Sequence, residues 1–197
     1  CWQAAEKFSQ ASGLNTHFHI HIEKRLPVAG GMGGGSSNAA ITLKLLNKLY
    51  DQVLREEKLA EIALSIGADV PYFLNPQPSL AQGVGENLKG LKSKHQVPLL
   101  LITFDFPISA AWSYQNRLKD FHSSGKSAEE LSSLWYENSL QLENLVYNDL
   151  AFAPRQKFPI LQQAVEDLNK LNGFAEVSGS GPTIFAAFDS KLERDLA

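Results

Sequence analysis

Cysteine occurs once in this chain of 197 residues, at Cys1. That excludes an internal disulfide framework and a cysteine-based structural zinc site, and it suits a reducing, cytoplasmic setting. Long apolar runs are missing as well. Val97 to Thr103 is strand-sized, far below the roughly 20 residues that span a bilayer. No basic tract stands out, and the formal net charge is −3, which disfavours nucleic acid and anionic membranes as partners. Repeats, low-complexity tracts, and signal- or transit-peptide patterns are also absent. What remains is a chain 44% hydrophobic and 20% charged, enough to build a substantial core over one or two domains.

Glycine is concentrated where it is most conspicuous. In Gly30-Gly31-Met32-Gly33-Gly34-Gly35-Ser36-Ser37-Asn38, five of nine residues lack a side chain. Packing alone gives no reason for so many, since each adds backbone entropy that folding must remove. The run separates an alternating stretch from a helical one. Thr16 to Glu23 places Phe18, Ile20 and Ile22 on one side and His17, His19, His21 and Glu23 on the other, the pattern of a half-buried strand. Histidines two apart on a strand are about 6.5–7 Å apart along the backbone, so the three read as a polar face rather than a metal site. After the run, Ala39, Ala40, Leu43, Leu46, Leu49 and Tyr50 recur at helical spacing, with Lys44, Asn47 and Lys48 opposite.

This arrangement of strand, glycine loop and helix is not a Walker A loop, because no lysine follows the glycines before Lys44. It is not a dinucleotide fingerprint either, because Asp51 follows a helix and is poorly placed for a ribose. A phosphate site remains. Gly30 to Gly35 can present successive N–H groups, Ser36 and Ser37 can add hydroxyls, and the positive end of a helix over 37–50 points at the anion.

Elsewhere the pattern predicts a first helix carrying Trp2, Ala5 and Phe8 and ending at Ser12-Gly13, and a helix over 56–66 stopped by Gly67. A strand-like piece follows Asp69, and the region of Gly83 and Gly85 is turn-prone. A mildly basic connector over 88–96 leads to a buried strand over 97–103. Further helices are expected near 128–136 and 159–171, with strands at 174–177 and 183–188 and a charged, helix-like end. Antiparallel connections among mixed elements give an α+β fold, divided into residues 1–90 and 91–197. Asp69, in Gly67-Ala68-Asp69-Val70-Pro71, either caps a turn or lies partly buried in a cleft. In a cleft it would accept a proton from a substrate hydroxyl attacking a phosphoryl group.

Leu26-Pro27-Val28-Ala29-Gly30-Gly31-Met32-Gly33-Gly34-Gly35-Ser36-Ser37-Asn38-Ala39-Ala40 resembles the phosphate-binding motif of the galactokinase, homoserine kinase, mevalonate kinase and phosphomevalonate kinase superfamily. Lys24-Arg25-Leu26-Pro27 and Gly67-Ala68-Asp69-Val70-Pro71 narrow the likeness. So do Ala81-Gln82-Gly83-Val84-Gly85-Glu86 and Ser178-Gly179-Ser180-Gly181-Pro182. They point to the branch that uses ATP to phosphorylate a cytidine diphosphate-linked methylerythritol in non-mevalonate isoprenoid synthesis.

The resemblance implies two lobes, a ribosomal-protein-S5-like nucleotide lobe and then a ferredoxin-like lobe, with the active site in the groove between them. It assigns Pro27, Ala29, Gly30, Gly31, Met32, Gly33, Gly34, Gly35, Ser36 and Ser37 to the ATP phosphates, with Gly179, Ser180 and Gly181 as a second glycine loop. Asp69 becomes the catalytic carboxylate and Tyr114 the platform for the cytosine ring. Magnesium is expected to arrive with ATP. Another alcohol kinase of the superfamily and a non-catalytic nucleotide-binding fragment are the alternatives. Family members also carry an opening strand with an Ala-Lys-Ile-Asn-Leu signature and extend beyond the last strand seen here. Against them this chain reads as a middle portion with an incomplete first lobe, less stable than the whole and largely inactive.

Overall fold

A computed structural model describes residues 1–14, 17–92, 97–117, 127, 130, 133, 146–171 and 173–197. The chain is α+β and divides into two compact units. One comprises residues 1–25 and 33–92, the other residues 26–32 and 93–197.

The first unit is mainly helical. Helix α1 (Trp2–Ser12) buries Ala4, Ala5 and Phe8 and stops at Gly13, which adopts the left-handed φ of 70° that glycine tolerates. Trp2 does not join that face; it is 74% exposed. Helix α2 (Gly34–Leu49) lays Ala39, Ala40, Leu43 and Leu46 into the same core. The alanines let its neighbours approach closely.

Two residues of α2 reverse their expected sides. Leu49 is exposed, while Asn47 is buried. Its carboxamide accepts from the Leu54 N–H and donates to the Leu54 carbonyl, both at 2.9 Å, so a polar side chain is satisfied inside the core. Helix α3 (Glu56–Ile66) adds Leu59, Ile62 and Ala63.

Asp69 leads not into a strand but into a short helix, α4 (Val70–Leu74), because Pro71 in its first turn has a φ already set for helix. Strands β1 (Ser79–Gln82) and β2 (Asn87–Gly90) then form an antiparallel hairpin, with Gly83 and Gly85 at positive φ in its turn. The start of the expected basic connector is thus strand β2.

Residues 17–23 form no β-ladder among the described residues, contrary to the strand expected there; Thr16 lies outside them. The alternation still shows in burial. Phe18 and Ile20 pack on the first core, Phe18 edge-on to Tyr50 at 6.3 Å, and the three histidines are exposed.

In the second unit, β3 (Leu99–Ile102), β4 (Phe174–Val177) and β5 (Ile184–Ala187) form an antiparallel sheet in the order β3-β5-β4. Strand β3 is half-buried rather than buried. Leu100 and Ile102 face the core, while Leu99 and Leu101 are exposed. Helices α5 (Ala110–Gln115), α6 (Phe152–Lys157) and α7 (Pro159–Asn169) complete the unit. Leu161, Val165 and Leu168 of α7 pack with Ala175, Val177, Ile184, Ala186 and Phe188 of the sheet side. Each of the larger side chains among them contributes about 1.5–3 kcal/mol on burial, the alanines less.

The charged C-terminal segment is helix α8 (Lys191–Leu196), started by a capping box between Ser190 and Glu193. The helix expected near 128–136 lies largely outside the described residues.

Candidate phosphate and phosphoryl-transfer site

The glycine run is divided between the two units at Met32–Gly33. In the first unit, α2 begins at Gly34, three residues before the expected start, so its first turn is built from glycine and serine. Gly33 is its N-cap at a φ of 64°, and the Ser37 N–H donates to the Gly33 carbonyl at 2.8 Å. No side chain among the described residues caps this end, and its first turn holds no acidic residue. The leading N–H groups of a 16-residue helix are therefore left for an anion. Gly35 is exposed, and a Cβ there would meet nothing within 4 Å. Protein packing gives no reason for that glycine.

Gly33 and Gly31 are different, which corrects the expectation that packing has no use for these glycines. A Cβ on Gly33 would lie 2.8 Å from the Phe73 ring of α4. Phe73 thereby seats α4 against the opening of α2, and Lys44 of α2 donates to the Leu74 carbonyl at the far end of α4, at 2.8 Å. Asp69 is the residue just before α4.

Turn geometry also fixes Asp69. The Val70 N–H donates to Gly67 at 3.1 Å, the Val70 side chain is buried, and a Cβ on Gly85 of the hairpin turn would stand 3.3 Å from the Ala68 carbonyl. The Asp69 carboxylate makes no capping hydrogen bond. It is exposed rather than partly buried, and no described residue pairs with it. Capping does not occupy it.

In the second unit, residues 26–32 lie against the loop that joins β4 to β5. The Ser178 hydroxyl donates to the Gly31 carbonyl at 2.8 Å, and the Thr183 N–H donates to the Gly30 carbonyl at 3.3 Å. A Cβ on Gly31, whose φ is 74°, would come within 2.0 Å of the Ser178 carbonyl oxygen. Only glycine fits. Pro27 and Ala29 are exposed, Ala29 at a φ of 55°, while Gly30 is buried and Met32 is half-buried.

Gly179 and Gly181 both have positive φ, and Gly181 and Ser180 are buried. Asn148, not singled out in the sequence, anchors this loop. Its Nδ2 donates to the carbonyls of Val177 at 2.7 Å and Gly179 at 2.8 Å. Its partners lie 29 and 31 positions away, so nothing in the neighbouring sequence singles it out. Tyr114, on α5, is 57% exposed.

Among the described residues no group of three histidine, cysteine, aspartate or glutamate side chains is placed to hold a metal ion. None of their helices is long and apolar enough to cross a membrane.

Comparison with known proteins matches residues 1–76 to the GHMP kinases N-terminal domain and residues 118–197 to the GHMP kinases C-terminal domain. The chain is 38% identical to the 4-diphosphocytidyl-2-C-methyl-D-erythritol kinase of Desulfitobacterium hafniense, over 98% of this chain and 68% of that protein. It is 32% identical to the kinase of the same name from Geobacter sulfurreducens, over 96% of this chain and 67% of the relative. It therefore spans about two thirds of the length of these relatives.

Among solved structures, a 4-(cytidine 5'-diphospho)-2C-methyl-D-erythritol kinase superposes with a TM-score of 0.77 at 26% identity, covering 99% of this chain and 70% of that one. Homoserine kinase from Cytophaga hutchinsonii gives a TM-score of 0.76 at 14% identity, over 98% of this chain and 67% of that one, a likeness of fold alone.

Proposed function

The chain belongs to the GHMP kinases, and on that premise we propose that it transfers the γ-phosphoryl group of ATP to the 2-hydroxyl of 4-diphosphocytidyl-2-C-methyl-D-erythritol. The observation that carries the chemistry is the pairing of two features within one unit. The uncapped, glycine-built start of α2 is set beside α4, and α4 follows an unengaged aspartate.

In the reaction the substrate's 2-hydroxyl oxygen forms a bond to the γ-phosphorus as the bond to the β-phosphate bridging oxygen breaks, and ADP departs. Asp69 takes the hydroxyl proton or holds the hydroxyl in line. The N–H groups of Gly34, Gly35 and Ser36, with the α2 dipole behind them, meet charge that spreads over the phosphoryl oxygens. Pro27, Ala29, Gly30, Gly31, Met32 and Gly33 shape the loop in which the phosphates lie, Ser37 adds a hydroxyl, and Gly179, Ser180 and Gly181 form a second glycine loop, whose Gly181 N–H is spent on the Ser178 carbonyl. Tyr114 stacks on the cytosine.

Magnesium fits this donor set. This ion usually binds through one or two carboxylates and the nucleotide's own phosphates rather than a protein cage, so Asp69 or the Ser36 and Ser37 hydroxyls would be the oxygens to hold it beside ATP. Bound there, it would neutralise phosphate charge. A cytoplasmic location, where ATP is abundant, completes the proposal.

Asp69→Asn is the direct test. Turnover should fall by roughly 10²–10⁴-fold, the usual weight of a positioned acid–base group, while the dissociation constant for ATP stays within about threefold. Near-normal turnover in that variant would remove Asp69 from the chemistry.

A further inference from the structure

We propose that Asn148 is a positioning residue for phosphoryl transfer: it fixes the Gly179–Ser180 peptide so that the Ser180 N–H is presented to a nucleotide phosphate. This rests on the reading of Gly179 to Gly181 as a phosphate loop.

Asn148 sits just before α6, far along the chain from the loop it serves. Its carboxamide nitrogen donates to two carbonyls at once, Val177 at 2.7 Å and Gly179 at 2.8 Å. Its Oδ1 accepts from the Leu150 N–H at 3.0 Å, which holds the carboxamide plane in place. All three bonds use backbone partners, and the orientation of the amide is set by its own turn.

Peptide planarity turns this clamp into a directional device. In a trans peptide the C=O of one residue and the N–H of the next point in opposite directions. The only cis bond among the described residues is Gly181–Pro182, so Gly179–Ser180 is trans. Asn148 holds the Gly179 oxygen, and the Ser180 N–H consequently points away from Asn148.

Two donors of the loop are already committed: the Gly181 N–H donates to the Ser178 carbonyl at 2.9 Å and the Ser178 N–H to the Thr183 carbonyl at 2.8 Å. The Ser180 N–H has no acceptor among the described residues. Ser180 is only 8% exposed, so this is a costly donor to leave idle in a structural loop.

Gly179 has a φ of 56°, and glycine gives its peptide plane wide rotational freedom. Without the clamp, that plane can turn and carry the N–H with it. The Val177 side is steadied separately, because Glu176 accepts from the Val177 N–H at 2.7 Å and is paired with Arg155 at 3.1 Å. Asn148 alone among the described side chains holds Gly179.

The test compares Asn148→Ser and Asn148→Ala with the parent protein. A serine hydroxyl at 148 retains a short-range acceptor for the Leu150 N–H but is too short to bridge both carbonyls. A purely structural role in the turn predicts a near-normal serine variant. The positioning role predicts that both variants lose roughly ten- to a hundredfold in kcat/KM for ATP. That is less than the roughly 10²–10³-fold cost of deleting a preorganised donor, since the N–H survives and only its direction loosens. KM for the cytidine-bearing alcohol should move less than about twofold.

Amide exchange across residues 174–184, with and without ADP, separates the two ideas. Slowed exchange at Ser180 in the parent and little slowing in the serine variant supports the inference. Equal slowing in both, with parental ATP kinetics in the serine variant, overturns it. If ADP slows nothing in the parent, the assignment of the loop to phosphate falls, and the role of Asn148 falls with it.

Discussion

Gly31→Ala and Gly35→Ala sit four residues apart in one glycine run and should fail in opposite ways. At Gly31 a methyl would stand 2.0 Å from the Ser178 carbonyl oxygen, over an ångström closer than ordinary contact allows, and the obstruction is backbone. The φ of 74° adds the left-handed cost for alanine, about 1–2 kcal/mol. Relief requires the loop to move away from Ser178, which breaks the Ser178 hydroxyl bond to Gly31 and the Thr183 bond to Gly30. At about 0.5–1.5 kcal/mol each, these bring the total to roughly 2–5 kcal/mol.

At Gly35 the methyl meets nothing, and alanine is the better helix former, by up to about 1 kcal/mol in a helix interior and less in a first turn. The Gly35 variant should match or exceed the parent in stability. Yet it should bind ATP roughly tenfold or more weakly, because the methyl occupies the face where phosphate approaches the leading N–H groups. Urea unfolding followed by far-ultraviolet dichroism reads the first quantity, and calorimetric titration with ATP reads the second. An unshifted unfolding midpoint in Gly31→Ala would refute the packing argument. Unchanged ATP affinity in a folded Gly35→Ala would refute the phosphate argument.

Tyr114→Ala should raise KM for the cytidine-bearing substrate roughly 5- to 150-fold, the equivalent of about 1–3 kcal/mol of base stacking, whereas Tyr114→Phe keeps the ring and should stay close to the parent. Steady-state kinetics with the alcohol varied at saturating ATP decides it; an alanine variant with parental KM removes Tyr114 from the substrate site. On α7, the hydrogen bond from Lys170, then that from Gln163, holds the Asp167 carboxyl below the usual carboxylate range, and the same contact with Asp167 raises Lys170. A depressed folded value means that this pair adds stability above the unfolded carboxylate value of about 4 and loses it as pH falls through the folded value. Lys170→Met should therefore move the Asp167 titration upward in a carboxyl-carbon NMR experiment. The small stability gap between variant and parent should close in acid. A variant titrating as the parent does would show that Lys170 is not the cause.

Much of the backbone around the candidate site was legible because glycine and turn residues announce their conformations locally. The helix after the glycine run, Gly13 as a stop, the helix over 56–66 and the strands beside the second glycine loop follow from periods of 3.6 and 2 and from turn residues. The failures share a cause: local alternation and residue type do not report which partner a side chain finds. Residues 17–23 alternate as a strand does, but alternation reports one face and supplies no ladder. Asn47 reads as a surface residue until Leu54 offers it both backbone groups. Asn148 is an unremarkable turn residue until β4 brings two carbonyls to it. The stretch after Asp69 is apolar enough for a strand, and its helix depends on the first-turn proline and on Phe73 finding Gly33.

The bond from Ser178 to Gly31 spans 147 positions of sequence. Closing so long a loop is entropically slow, and contacts of this reach form after local helices have already condensed. Helix α2 can wind as soon as its own residues are made, but Gly30 and Gly31 must wait for β4, β5 and the turn joining them. Gly30 and Gly31 therefore reach their final place only once the turn between β4 and β5 is there to receive them.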